Sequence, residues 1–534
     1  MKDKIKSLYE RFEKANEKKQ NWESHWDECY SYSFPQRENV VSSYKSNNIG
    51  DKKNTHLYDG TAPDAVDQLA ASLLAELTPP WSKWFGFKAG KDLSKEEKDN
   101  ISPELEKITE TMSSNFDYSN FSVEIHQCYL DLVVAGTACL MFEEAPIGES
   151  SAFRFYAVPL KEIAVEENSN GKIDTTFRES EIGLEGIKSR FPEAKIPNQL
   201  IEKMSDDFDY KAKLIEAVIP KITKFGVSGY EYIAFIWDEN TLHTNDNYII
   251  LREGNFETSP FINFRWLKAP GEIYGRSPVM KTLPDIKTVN KVVELVLKNA
   301  SISVTGIWQA DDDGVLNPAN IKLVPGSIIP KAIGSKGLTP LEAPGNFDVS
   351  QLLLDDLRKR IRHSLLTDRL SQIDTPTMTA TEVLERSEQM VRILGASFGR
   401  LQSELLTPLM KRAFYILKRR GEIPPLSLDG RTLDLQYKSP LALSQSQKDA
   451  SNVINWIQTV SSFAPTSFEA VDIKEATRWL GRTLNVPESL IVEAETSANP
   501  IEDVLANLQE NPELLQSIMA DVSNMTNGEG SEVA

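Results

Sequence analysis

Near the N-terminus apolar residues recur every three or four positions: Ile5, Leu8, Tyr9 and Phe12, then Trp22, Trp26 and Tyr30. That spacing predicts one helix with a single buried stripe, ending at Phe34-Pro35. A second helix is predicted from Ala62 to Leu77, where Ala65, Leu69, Leu73 and Leu77 repeat every four residues. Asp59 or Thr61 caps its start and Pro79-Pro80 stops it. The aromatic cluster that follows, Trp81, Trp84, Phe85 and Phe87, is core or interface material. Between Phe153 and Tyr232 short alternating or β-branched runs are separated by Asn, Gly and Ser, which predicts an α+β module.

The pattern changes at Tyr274. A Gly-containing turn leads into Ile286, Val289, Val292, Val293, Val296 and Leu297, a helical apolar face. A break of about 50 residues dense in Gly and Pro follows and predicts short strands and turns; helix returns at Val349. A segment bracketed by two helices at its base is a protrusion. Thr379-Ala-Thr-Glu382 has the capping-box form, and the helical pattern then runs without a stop to Arg420-Gly421. Those 42 residues would span about 63 Å, with Gly395 and Gly399 inside and a kink expected at Pro408. Such a helix is typically a strut in a large assembly. Beyond Pro424-Pro425 a strand-like LDLQYKSP precedes helices at Leu443–Phe463, Phe468–Leu484 and Pro500–Val522. The fold class expected is α+β, predominantly helical.

The chain has 534 residues, enough for three or four modules, and 59 Lys+Arg against 78 Asp+Glu give a formal charge of −19. That excludes a generic basic nucleic-acid binder. From Gly421 to Ala534 there are 17 acids and six bases, whereas from Gln351 to Arg420 there are 13 bases and eight acids. The pairs Asp355/Lys359, Asp356/Arg360, Glu382/Arg386 and Glu388/Arg392 fit ordinary i,i+4 helix pairs, each worth about 0.3–0.5 kcal/mol. They leave a surplus around Arg358, Arg360, Arg362 and Arg369, beside a Thr/Pro-rich loop, that is suited to phosphates. Cys29, Cys128 and Cys139 are an odd, scattered set, expected as reduced thiols. The N-terminus lacks an apolar leader, so export is not expected. Leu132 to Phe142, the longest uncharged apolar stretch, is shorter than the ~20 residues of a membrane span.

No phosphate-cradling G-x-x-x-x-G-K-[ST], no G-x-G-x-x-G after a strand and no H-E-x-x-H occurs. His126 and Cys128 are close, but Cys139 does not complete a zinc spacing. Asp311-Asp312-Asp313-Gly314 falls short of a calcium loop, because Gln309 and Asn320 stand where acids are needed. Gly226-Val-Ser-Gly229 is one residue too short for a nucleophile elbow. The expectation is a protein without catalytic residues, metal or cofactor. The class alternative is a Mg-dependent nuclease built on the Asp311–Asp313 triplet.

Several segments together resemble the head-to-tail connector, or portal, proteins of short-tailed bacteriophages. They are Leu57-Tyr-Asp-Gly-Thr-Ala62 with the helix after it, Leu132 to Glu144, FINFRW with Glu272-Ile-Tyr-Gly-Arg-Ser-Pro278 and LPDIKTVN to Asn290, Met378-Thr-Ala-Thr-Glu-Val383, and Ser439-Pro-Leu-Ala442 with Gln445. The resemblance covers roughly residues 20 to 450 and implies a ring, typically a dodecamer, at one capsid vertex of the virion, through which DNA is packaged and ejected. It implies a wing at 1–272, stem helices at 273–300 and 347–368, a clip at 301–346 and a tunnel loop at 369–378. The long helix at 379–421 and a crown with an acidic C-terminal segment at 422–534 complete it. DNA-channel candidates are Arg358, Arg362 and Arg369; tunnel-loop residues are Leu370, Gln372, Thr375, Pro376 and Met378. Clip contacts are Asp311, Asp312, Asp313 and Asn317. Ring closure needs heterologous contacts, for which Trp22, Trp26, Trp81, Trp84 and the long helix are candidates. The partners implied are further copies of the chain, double-stranded DNA, terminase, tail adaptors, and major capsid and scaffold proteins, without a membrane. Synthesis is expected in the host cytoplasm. The rival reading within the same class is another virion structural protein, a tail adaptor or capsid-lining component.

Overall fold

The computed structural model describes residues 2–40, 54–90, 95–206, 210–223, 226–237, 248–305, 308–310, 338–340, 347–370, 395, 397–424, 433–437, 450, 452–457, 459 and 473–483. Two units divide the chain, 1–442 and 443–534. The first holds α1 (Lys2–Ser33), α2 (Thr61–Leu77), α3 (Lys95–Asp117), α4 (Phe121–Ala135), α5 (Leu184–Arg190), α6 (Asn198–Asp206), α7 (Pro278–Thr305), α8 (Phe347–Ser364), α9 (Thr367–Leu370) and α10 (Thr407–Arg420). Its strands are β1 (Phe85–Ala89), β2 (Thr137–Glu144), β3 (Phe153–Val158), β4 (Ile163–Glu167), β5 (Ile173–Ile182), β6 (Ala212–Thr223), β7 (Gly226–Trp237), β8 (Tyr248–Phe256), β9 (Phe261–Arg265), β10 (Trp308–Ala310), β11 (Leu338–Pro340) and β12 (Leu433–Tyr437). In the second unit the described part includes α11 (Ile473–Thr483), inside the helix expected at 468–484.

Strands β4 to β8 form an antiparallel meander, and alternation along them builds two cores. One face carries Ala164, Phe177, Ile215, Ala217, Ile233 and Phe235 and takes the first half of α1, with Ile5, Leu8, Phe12 and Ala15 buried against it. Tyr9 stacks on Trp237 at 3.9 Å. The other face, with Leu214, Val218, Tyr232, Ala234 and Ile236, belongs to the main core, which it shares with Ile187 and Phe191 around α5 and Leu200 of α6. The second half of α1 enters that main core through Trp26 and Tyr30. A single amphipathic helix thus ties two cores together.

The three-stranded sheet runs β3-β2-β9, and the outer edge of β3 is closed by side chains of the α3–α4 turn. Asn120 donates to the carbonyl of Phe155 at 2.8 Å and accepts from its amide at 3.0 Å, and Glu124 accepts from Ala157 at 2.8 Å. Those contacts leave no open strand template there.

Pairing of β12 with β1 confirms the strand expected in LDLQY, which lies in the first unit. Helices α3 and α4 were not anticipated by the apolar spacing. Of the long helix, 379–394 lies outside the described residues. In the remainder, the irregularity precedes Pro408 as a π-turn over Gln402–Leu406. Proline offers no N–H to the carbonyl of Glu404, and the wider turn absorbs that mismatch: the amide of Thr407 reaches back to Gln402, as does its hydroxyl at 2.8 Å.

Candidate functional site

Helices α7 and α8 pack as an antiparallel pair. Arg360 of α8 bridges to Asp285 near the start of α7 at 3.2 Å. At the other end β10 pairs antiparallel with β11, Trp308 opposite Pro340. The excursion between the helices therefore leaves through a two-stranded ribbon. Asp311, Asp312, Asp313 and Asn317 fall beyond that ribbon, outside the described residues.

The pair is fixed to the body by the segments that carry the family resemblance. The side-chain oxygen of Asn290 accepts from the amides of Tyr58 (2.6 Å) and Asp59 (3.3 Å), while its amide donates to the His56 carbonyl at 2.9 Å. Asp59 then does two jobs. One carboxylate oxygen accepts from the amide of Thr61 at 2.9 Å; the cap itself is Gly60, not Asp59 or Thr61 as expected, and Asp59 supports the start of α2 from one residue further out. The other accepts from Arg358 Nε and Nη2, at 2.9 and 2.6 Å. Arg358, expected to face DNA, is thus held by an internal carboxylate.

The carboxyl of Asp59 is pushed up by burial, but hydrogen bonds from Thr61 and the guanidinium of Arg358 outweigh this and hold it below the usual carboxylate range. Its folded pKa therefore lies below its unfolded one. The stability it confers is present above about pH 4 and is lost as pH falls through the folded value. Asp59→Asn should lower Tm at pH 7 and flatten its decline below about pH 4, as followed by circular dichroism.

A second joint lies where α4 turns into β2. Gly136 ends α4 in the left-handed conformation (φ 77°), and a Cβ there would sit 2.6 Å from the carbonyl oxygen of Gly275. Across the contact Gly275 donates its amide to Thr137 Oγ1 at 2.8 Å, and Ser277 Oγ donates to the Val134 carbonyl at 2.8 Å. Backbone lies directly on backbone, which fixes where α7 begins.

Two buried arginines lock the long helix to the same region. Arg265, at the end of β9, is fully buried and meets Glu404 of the π-turn through Nη2 at 2.7 Å and Nε at 3.2 Å. It also donates to the carbonyls of Ile273 (2.9 Å) and Gly171 (3.0 Å). Arg412 of α10 donates to the carbonyls of Phe142 (2.6 Å) and Thr258 (2.7 Å) and lies beside the rings of Phe142 and Phe256. Burial pulls its pKa down to about 10, still charged at neutral pH.

The helical charges differ from the sequence expectation. No Asp355–Lys359 or Asp356–Arg360 ion pair forms; Arg360 turns to α7 instead. The Glu382/Arg386 and Glu388/Arg392 pairs lie outside the described residues. Arg362 is exposed in the last turn of α8. The chain then reverses at Leu366, whose φ of 62° is left-handed, into α9. Arg369 and Leu370 end that helix; Gln372, Thr375, Pro376 and Met378 lie outside the described residues.

Among the interface candidates, Trp26 is fully buried against Tyr274 and Trp84 is 4% exposed among Phe85, Phe116 and Phe121. Both serve the chain's own core, which corrects their reading as interface residues. Trp22 is half-buried, stacked between Trp26 and the guanidinium of Arg276. Trp81, 73% exposed, remains at the surface. All three cysteines are buried free thiols, and burial raises Cys29 to about 12. Among the described residues no cluster of three His, Cys, Asp or Glu side chains could hold a metal ion, and no helix is long and apolar enough to cross a membrane.

The fold is thus a body of packed sheets with a helical pair pinned to it at two joints. Residues 5–492 match the model of the bacteriophage head to tail connecting protein family, and the chain belongs to that family. It is 26% identical over 487 residues to a "Probable portal protein" of Bordetella phage BPP-1, covering 89% of this chain and 86% of that one. Identity to the "Portal protein" of Salmonella phage epsilon15 is 23% over 499 residues, with the same coverages. A chain in the solved "Virion of native gene transfer agent (GTA) particle" aligns over 79% of this chain and 89% of its own at 10% identity, with a TM-score of 0.36. Head-to-tail connection in a phage particle is the family's role.

Proposed function

We propose that the chain is the portal subunit of a phage, twelve copies closing into a ring at one capsid vertex through which double-stranded DNA enters and leaves. The observation that carries this reading is the α7–α8 pair, anchored at its base by Asn290, Asp59 and Arg358 and extended at its far end by the β10–β11 ribbon. In the ring this pair is the stem, the excursion beyond the ribbon is the clip that meets terminase and then tail adaptors, and residues before 273 form the wing against capsid and scaffold. Residues 369–378 form the tunnel loop, and the unit from Leu443 forms the crown. No step of bond chemistry is assigned to it.

A conduit must not hold its cargo, because each neutralised phosphate anchors the duplex and releases counterions. The formal charge of −19 per copy keeps DNA off most surfaces, and a sparse basic lining supplies local attraction. Arg362 and Arg369 are assigned to that lining; Arg358, engaged by Asp59, is not.

Electron microscopy of the purified full chain tests the reading: annular particles with a central hole are expected, and single subunits at every concentration would overturn it. In phage carrying R362A and R369A together, rings should still form while packaging or genome retention changes; unaltered DNA content would remove these two residues from the lining.

A further inference from the structure

The outward faces of the α7–α8 pair differ in charge. On α7, the face opposite the buried Ile286 and Val289 carries the exposed Lys281, Lys291, Leu295 and Lys298, with Leu295 54% exposed. Glu294 lies beside them and bonds Lys291 at 3.0 Å and Lys298 at 2.6 Å, leaving the face net basic. On α8, the face opposite the buried Leu354, Leu357 and Ile361 carries Leu352, Asp355, Asp356 and Lys359, with Leu352 76% exposed. Among the described residues Asp355 and Asp356 have no ion-pair partner, so around Leu352 two carboxylates outnumber the one lysine, with the exposed Arg362 two turns further along. Each is an amphipathic surface with a leucine amid charges of one dominant sign.

The levels also correspond. Asp285 lies opposite Arg360 and Trp308 opposite Pro340, so ascending α7 is descending α8. By that register Lys291 stands level with the turn that holds Asp355, and Leu295 lies within about one helical turn of Leu352. Cyclic symmetry permits rotation between copies but no rise, so residues that meet across a ring must stand at nearly the same height. These do.

We infer that the occupant of the α7 face is the α8 face of a second copy, Leu295 packing by Leu352 and Lys291 pairing with Asp355, a heterologous contact that repeats around the ring. The inference rests on the ring proposed above and names the surface that closes it. Two different faces meeting is the condition for head-to-tail closure, whereas like faces would give a two-fold dimer. Leucines screened by flanking charges fit a contact whose register is fixed by charge and whose area is apolar.

Charge reversal tests this on the full chain. K291E places Glu against Asp355, and D355K places Lys against Lys291. Each variant alone should raise the concentration at which half the chains are in rings by at least tenfold, by native mass spectrometry and sedimentation. An equimolar mixture should assemble at wild-type concentration, because alternating the two variants restores an opposite pair at every boundary. K291E/D355K in one chain should do the same. Circular dichroism of each variant should match wild type, since both positions are exposed. Rings formed by either single variant at wild-type concentration, or a mixture no better than its components, would overturn the interface while leaving the ring intact. Absence of rings in the wild-type chain would instead overturn the portal reading on which it rests.

Discussion

Replacing Arg265 with Ala should destabilise the body by about 3–5 kcal/mol, because it removes a fully buried guanidinium from the carboxylate of Glu404, which keeps only the partly exposed Arg400 at 3.1 Å. The guanidinium is fully buried and Glu404 only 15% exposed, so water cannot replace what is lost. The same substitution strips donors from the carbonyls of Ile273 and Gly171. E404A should cost a comparable amount, since the fully buried Arg265 would then keep only Glu167, at 3.8 Å, as a counter-charge. R265A/E404A should cost less than the two single changes added, with a coupling of about 1–3 kcal/mol. Denaturant unfolding followed by tryptophan fluorescence measures all three. Strict additivity would show that the pair does not act as one unit. Glu404 sits in the π-turn, so the expected consequence extends to function: without the pair, the segment preceding α10 loses the contact that sets its register against β9.

How much of this was legible beforehand varies with the range of the interaction. Helices α1, α2 and α7 were readable because their apolar periodicity is local, and strands β5, β6 and β7 of the meander because their alternation is; β4 and β8 were not anticipated. The start of α2 was readable for the same reason to within a residue, although its cap is Gly60 and Asp59 binds the Thr61 amide from one position further out. The pairing of Asp59 with Arg358 was not, because those residues are 299 positions apart and nothing in either neighbourhood encodes the other. Arg360 illustrates the cost of local reasoning: an acid stands one turn before it, yet it turns to Asp285 across the helix pair. Trp26 and Trp84 were ambiguous because a large aromatic serves core and interface equally well, and only burial decides. Arg265 and Arg412 carried no signal as buried charges; Arg265 did lie in FINFRW, one of the stretches that resemble the family. The resemblance thus marked the joints before the residue chemistry explained them: Tyr58-Asp59, Gly136-Thr137, Gly275 and Asn290 all lie in quoted segments, and all meet partners far away in the chain.

Of those joints, the pair of glycines tolerates least. A Cβ on Gly275 would lie 2.1 Å from the carbonyl oxygen of Gly136 and 3.0 Å from Cβ of Arg265. The first neighbour is backbone, which cannot swing aside as a side chain would. G275A should therefore push α7 away from the α4–β2 turn and break the Gly275–Thr137 and Ser277–Val134 hydrogen bonds together. We expect a loss of more than about 4 kcal/mol, in the range where steric overlap at a buried site dominates other single substitutions. G136A combines a 2.6 Å overlap with a left-handed φ of 77°, and should fall as far. Gly271 supplies the control. Its φ is also left-handed, at 81°, but nothing lies within 4 Å of its Cβ position, so G271A should cost only about 1–2 kcal/mol. If G275A were no worse than G271A under the same denaturant titration, the backbone contact would be no constraint, and the start of the helical pair would be free to settle elsewhere on the body.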